Sequence, residues 1–370
     1  MTTLVANRPG RTAKPRTKAA VADCDIHPTV NGYGDLKPYL ARRWQEHLAV
    51  YGAAVRHAWQ RGAAYPKAQP AAARRDAWPE GGGMPGSDLA TMQRQHLDPN
   101  NVQLGILNPI TLAGQGTLNQ DLSAALATAT NDWQVDTWTS LEKRLKASVV
   151  VPYEDGAAAA REIERRAGDP AFAQVILLSR TAEPVGQRRY LPIFEAAAAA
   201  GLPVGIHAFG YSGHAVTGTG WPSYYVEEMF GHAPSCQAQL TSLVVEGVFE
   251  RLPNLKVVLI EAGCAWLPSL AWRLDQHWRK LRSEVPHLRR APSEYIKEQV
   301  WITTQPIEEP EPREHLIETL GWIGWDRILF SSDYPHWDFD DPATALPRGL
   351  PDDVKQGLLI DNARRVYGVG

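Results

Sequence analysis

Val21-Ala22-Asp23-Cys24-Asp25-Ile26-His27 is a short, largely apolar run that closes on a carboxylate and an imidazole. Its length and its β-branched ends read as a buried strand, and residues at i and i+2 of a strand point to the same side, so Asp25 and His27 project together from its end. Seven more runs of this kind follow: Val102–Asn108, Ala147–Pro152, Gln174–Ser179, Pro203–His207, Lys256–Glu261, Gln299–Thr303 and Arg327–Asp333. Between them fall helical patterns at Gln120–Trp133, Gly156–Arg166, Leu191–Ala200, Gln237–Phe249, Trp266–Leu281 and Glu311–Leu320. This alternation predicts an α/β protein, a (β/α)8 barrel of the TIM type, whose working face lies where the strands end. Asp169 and the Asp352-Asp353 pair are expected to favour helix N-termini, and Gly201 and Gly321 to end helices.

Two stretches exceed a plain βα connection. Residues 28–100, after strand one, carry Tyr33, Tyr39, Trp44, Tyr51, Trp59, Tyr65, Trp78 and Gly81-Gly82-Gly83. Residues 208–235, after strand five, carry Phe209, Tyr211, His214, Trp221, Tyr224, Tyr225, Phe230 and His232. Insertions at these places land on the catalytic face, so both are expected to form a lid over one barrel domain spanning 21–370, against the alternative of plain aromatic packing. Residues 1–20 hold five basic residues and no acidic one without a helical period, and are expected to be a disordered basic tail.

A net charge of −3 with 21% charged residues offers no bulk attraction to nucleic acid, which leaves a small molecule as the expected partner. Cys24, Cys236 and Cys264 stand far apart, which excludes a CxxC thiolate site and suggests a reduced, cytoplasmic protein. No apolar run approaches the roughly 20 residues that span a bilayer.

The chemistry lies in a convergence. His207 closes the fifth strand in Val204-Gly205-Ile206-His207, and Asp333 closes the eighth in Leu329-Phe330-Ser331-Ser332-Asp333. With Asp25 and His27, two imidazoles and two carboxylates share the face on which barrel enzymes build their sites. That set suits one divalent ion, zinc as the first expectation and manganese as the alternative. The fourth strand holds no lysine, so a bridging modified lysine and a second ion have no candidate there.

The strand-one D-x-H, the strand-five His and Ser331-Ser332-Asp333-Tyr334-Pro335-His336 resemble the second amidohydrolase family, which contains aminocarboxymuconate semialdehyde decarboxylase, benzoate-type decarboxylases and hydrolases of ring-derived acids. The resemblance extends over 21–367, through Gly247-Val248-Phe249-Glu250-Arg251-Leu252-Pro253-Asn254-Leu255-Lys256 and Asp361-Asn362-Ala363. It implies Asp25, His27, His207 and Asp333 as ligands, Asp333 as a group that also handles a water proton, and a homodimer. Asp25 stands where many relatives carry His or Glu. The decarboxylases end strand six with an acid/base histidine, whereas this chain has Leu259-Ile260-Glu261-Ala262.

Glu261 is therefore the expected proton carrier, with an ion pair to Arg273 as the competing reading. His336 is expected as a second proton carrier. Trp337, His214 and His232 are expected at the substrate, and Arg273 as a bidentate grip on a substrate carboxylate. The missing strand-six histidine ranks hydrolysis of a small cyclic or aromatic acid, amide or ring-derived carbonyl compound, through a metal-activated water, ahead of non-oxidative decarboxylation of an aromatic or unsaturated acid. A non-catalytic ligand-binding barrel ranks third.

Overall fold

The computed structural model describes residues 18–53, 70–210 and 215–369. Eight parallel strands neighbour one another in chain order: β1 (Val21–Ile26), β2 (Val102–Leu107), β3 (Leu145–Val150), β4 (Phe172–Leu178), β5 (Val204–His207), β6 (Val257–Ile260), β7 (Val300–Thr303) and β8 (Ile328–Leu329). Helices stand between them, and the fold is the expected (β/α)8 barrel. Small and branched side chains from strands around the ring, among them Ala22, Cys24, Ile106, Val150, Ile176, Val258 and Leu329, pack into one cluster. A larger layer, including Val149, Leu177, Ile206, Phe194, Leu240 and Leu320, joins strands to helices.

Only Ile328 and Leu329 of the eighth run make a regular strand. Beyond them the polar Ser331-Ser332-Asp333 segment takes its bonds elsewhere: the Ser331 N–H donates to Thr304 Oγ1 at 3.2 Å and the Ser332 N–H to Asp23 Oδ1 at 2.9 Å. The seam to β1 is closed by single backbone bonds, Cys24 N–H to Phe330 O at 3.0 Å, Asp333 N–H to Asp25 O at 3.1 Å and His27 N–H to Tyr334 O at 2.8 Å. The barrel thus closes through the residues at its mouth.

β1 carries a register irregularity between Asp23 and Ile26, and the extra residue breaks strict side-chain alternation there. Cys24 packs with the ring of strand side chains, while Asp23 meets His96 of the first insertion, with His96 Nε2 donating to Asp23 Oδ2 at 2.6 Å. Ser332 Oγ also donates to that oxygen, and Asn100 donates to His96 Nδ1 at 3.1 Å. His96 is fully buried and ties the insertion to both sides of the seam.

Several expectations need correcting. The helix expected from Gln237 begins at Tyr225 and runs through Pro234 to Val245, because Glu227 Oε2 accepts the N–H groups of Ser223 and Tyr224 and satisfies its free donors. Gly321 lies inside the Glu314–Ile323 helix, which Gly324 ends at φ 110°. Asp169 accepts from the Ala171 N–H in the turn before β4 and caps no helix. Gly201 does end its helix, at φ 69°, and Asp352 and Asp353 open theirs.

In the first insertion, Leu36, Leu40, Trp44, Met92 and Leu97 pack with Ile26, Leu107, Phe330 and Tyr334, so part of it is core. Gly86 approaches the mouth: at φ 79°, a Cβ there would lie 2.4 Å from the His27 carbonyl oxygen. Residues 1–17 of the expected tail, together with Trp59, Tyr65, Tyr211 and His214, lie outside the described residues. Among the described residues, no helix is long and apolar enough to cross a membrane.

Candidate metal centre and cavity

The ends of β1, β5, β6 and β8 bring five side chains together. His27 Nε2 lies 3.2 Å from Asp25 Oδ1 and 2.8 Å from Asp333 Oδ1, and His207 Nε2 lies 3.3 Å from Asp25 Oδ2 and 3.2 Å from Glu261 Oε2. Ligands at about 2.1 Å around a tetrahedral ion are about 3.4 Å apart, so these separations match a shared cation. Asp25 Oδ2, His27 Nε2 and His207 Nε2 are buried without hydrogen-bond partners. Each imidazole donates from its other nitrogen, His27 Nδ1 to the Asn108 carbonyl at 2.8 Å and His207 Nδ1 to the Ala208 carbonyl. That tautomer turns the Nε2 lone pairs inward, as a metal site requires. The residues present fit one divalent ion.

The electrostatics agree. Burial alone would push the Asp25 carboxyl up, yet the attraction of His27 and His207 outweighs it and holds Asp25 well below the usual carboxylate range. Burial also opposes ionisation of Asp333, and His336 and His27 outweigh it and bring its pKa to about 2. Burial would strip the proton from His27, but Asp25 and Asp333 raise its proton affinity well above that of an ordinary histidine. A cluster of carboxylates that holds a proton this firmly is suited to a cation.

Glu261 and Asp333 share a backbone feature, since both adopt positive φ, 54° and 64°. For residues other than glycine this costs of order 1–3 kcal/mol and concentrates at functional sites. The Glu261 N–H is held by Thr303 Oγ1 at 3.2 Å. Burial, then the neighbouring Asp333, Asp338 and Asp25 carboxylates, raise the Glu261 pKa well above the usual range, and a bound cation acts in the opposite sense. His336 stacks on His27 at 4.4 Å and its Nδ1 lies 2.6 Å from Asp333 Oδ1, so it lies beside the cluster.

Arg273 does not. It is exposed on the Trp266–Lys280 helix, outside the cavity lining, and neither grips a substrate position nor pairs with Glu261 among the described residues. Two turns of helix carry it away from the barrel mouth.

Glu261 also lines a cavity of about 570 Å3. Tyr225, Met229, Phe230 and His232 form one wall, Ile307 and Glu308 another, and Trp337 and Asp338 a third. Trp337 Nε1 donates to Tyr225 Oη at 3.4 Å, and the Trp337 N–H donates to Ala72 O at 2.9 Å. The loop after β8 is thereby joined to both insertions. Burial, then Asp333, pushes the Asp338 carboxyl up to about 7.

The sequence reading gave no role to the residues that orient this centre. Asn108 donates from its side chain to Asp25 Oδ1 at 2.8 Å, while its own Oδ1 accepts from Ser148 Oγ at 2.7 Å and Gln174 Nε2 at 2.8 Å. Gln305 Nε2 lies 3.4 Å from Asp333 Oδ2. The available signal was polar side chains on otherwise apolar strands, with Asn108 closing the second run.

The amidohydrolase family model matches residues 22–369. The chain belongs to the amidohydrolase family. This amidohydrolase is 27% identical over 274 residues to a gamma-resorcylate decarboxylase of Polaromonas sp. strain JS666, covering 69% of this chain and 80% of the relative. The 5-carboxyvanillate decarboxylase from Sphingomonas paucimobilis shares its fold with a TM-score of 0.67 and 22% identity, over 95% of this chain and 100% of that one. A dihydroxybenzoic acid decarboxylase from Polaromonas, with bound manganese and the inhibitor 2-nitroresorcinol, has a TM-score of 0.66 and 18% identity, over 95% of this chain and 97% of that one.

Proposed function

We propose that this amidohydrolase is a divalent-metal-dependent, non-oxidative decarboxylase of aromatic acids, with Asp25, His27, His207 and Asp333 as ligands and Glu261 as the acid. The observation that carries the reading is the position of Glu261, 3.2 Å from His207 Nε2 and at the same time in the wall of the apolar cavity. It gives a proton-bearing group that faces both the cation cluster and the space for a ring. Sequence reasoning ranked hydrolysis first because the strand-six histidine is absent; the reactions named for the relatives back the alternative better.

Asp25, His27, His207 and Asp333 would hold a divalent ion, which would supply positive charge to stabilise a substrate carboxylate. Glu261 then gives its proton to the ring carbon that bears the carboxylate. A C–H bond forms, the C–C bond to the carboxylate breaks, its electron pair returns to the ring, and carbon dioxide leaves. Glu261 remains as the carboxylate and regains a proton from solvent. His336 holds Asp333 through Nδ1, and Trp337 and Tyr225 close the mouth as a lid, limiting water around the ring. Manganese is the proposed ion, ahead of zinc, because carboxylate oxygens make up much of the cluster and a manganese-bound relative shares the fold. The proposal includes a homodimer, read by sedimentation, and a cytoplasmic location, read by fractionation.

The test is incubation of manganese-loaded protein with 2,6-dihydroxybenzoate and other hydroxybenzoates in D2O. Release of carbon dioxide with one deuterium on the vacated ring carbon is expected. Absence of carbon dioxide across the panel, with cleavage of aryl amides or esters instead, favours the hydrolytic reading.

A further inference from the structure

We infer that the cavity selects aromatic acids with a single carboxylate and neutral ring substituents, and discriminates against dicarboxylates. The inference rests on the decarboxylase reading for the location of the reacting carboxylate, at the cation cluster. What remains to be accommodated is the far side of the ring, and the cavity wall states its terms.

Among the described residues, the lining holds three carboxyl groups, Glu261, Glu308 and Asp338, one imidazole, His232, and no lysine or arginine. The rest of the wall is dominated by apolar and aromatic side chains such as Val226, Met229, Phe230 and Ile307. A second substrate carboxylate would leave water for a mainly apolar surface that offers no lysine or arginine as a partner, beside the fixed carboxyl group of Glu308. Buried charge without a partner is strongly disfavoured, and like charges in a binding site reject a ligand.

Glu308 is held in place. Its Oε2 accepts from the Cys264 N–H at 2.9 Å, the Ala265 N–H at 3.1 Å and Cys264 Sγ at 3.2 Å. It packs so closely on the turn that a Cβ on Gly263 would lie 2.6 Å from Glu308 Oε1. Arg180, after β4, approaches Glu228 at 3.9 Å and Trp221, and is not part of the lining. A neutral hydroxyl or methoxyl group meets none of these penalties, and a hydroxyl can donate to a carboxylate oxygen.

The test uses a matched pair, 2-hydroxy-3-methoxybenzoate and 5-carboxyvanillate, which differ by one carboxyl group. Binding of each to the manganese-loaded protein is measured by calorimetry, alongside release of carbon dioxide. The monocarboxylate is expected to bind at least about tenfold more tightly. In Val226→Arg, at an exposed cavity position, that preference is expected to shrink by about tenfold. Equal or tighter binding of the dicarboxylate overturns the inference, as does failure of both acids to bind. An acid that binds with the expected preference but releases no carbon dioxide overturns the decarboxylase reading and leaves the selectivity standing.

Discussion

Asn108 holds Asp25 through a side-chain amide hydrogen bond of 2.8 Å to Oδ1, and with the same residue's backbone carbonyl it receives the Nδ1 proton of His27. One side chain at the end of β2 thus aims a carboxylate while its main chain sets a neighbouring imidazole. Replacing Asn108 by Ala removes the first bond and also the acceptor shared by Ser148 and Gln174. Loss of such an orienting partner is expected to weaken divalent-ion affinity by about 10–100-fold. Competition with a chromophoric chelator reads this directly, and unchanged affinity would show that Asp25 needs no such support.

Glu261→Gln keeps the shape of the site and removes the transferable proton. The expected result is a fall in kcat of about 10²–10⁴-fold with manganese stoichiometry retained. Steady-state rates paired with metal analysis separate the two effects. Loss of the ion together with activity would make Glu261 a fifth ligand instead.

The three thiols are expected to be inert in the folded protein. Burial pushes Cys236 up to about 12; burial and then Asp23 raise Cys24, and burial and then Glu308 raise Cys264. A raised pKa leaves almost no thiolate at pH 8, and the thiolate is the nucleophile. Titration with a disulfide reagent should find no fast thiol in the native state and three after denaturation. Rapid native labelling would contradict the burial of all three.

Glu142 supplies a stability term with a defined pH window. Hydrogen bonds from Arg144 outweigh burial and bring its pKa to about 2, from an ordinary 4.5. Because the folded value is the lower one, the stabilisation is complete above the ordinary value and is lost as pH falls through about 2. The stability gap between the protein and Glu142→Gln, measured by denaturant unfolding, is expected to narrow from about pH 4.5 downward. A gap that stays constant to low pH would contradict it.

Most of this architecture was legible because strands buried on both faces read as near-continuous apolar runs, and Asp25, His27, His207 and Asp333 stand at the ends of such runs. What escaped depended on tertiary position. The isolated His96 gives no hint that a register irregularity in β1 turns Asp23 toward it. Asn108 looked like a strand terminus, and its two-handed grip appears only once β1 lies beside β2. Arg273 failed because helical phase, unlike strand alternation, had no fixed reference to the barrel mouth. The helix expected from Gln237 extends back through Pro234 to Tyr225, although proline is disfavoured within helices.

The proposed chemistry depends on a single cation shared by Asp25, His27, His207 and Asp333. Anomalous diffraction from crystals of the manganese-loaded protein tests it most directly. One strong peak within about 2.0–2.3 Å of Asp25, His27, His207 and Asp333 ligand atoms is the predicted result. No peak at the barrel mouth, or an ion held elsewhere by other residues, would contradict it.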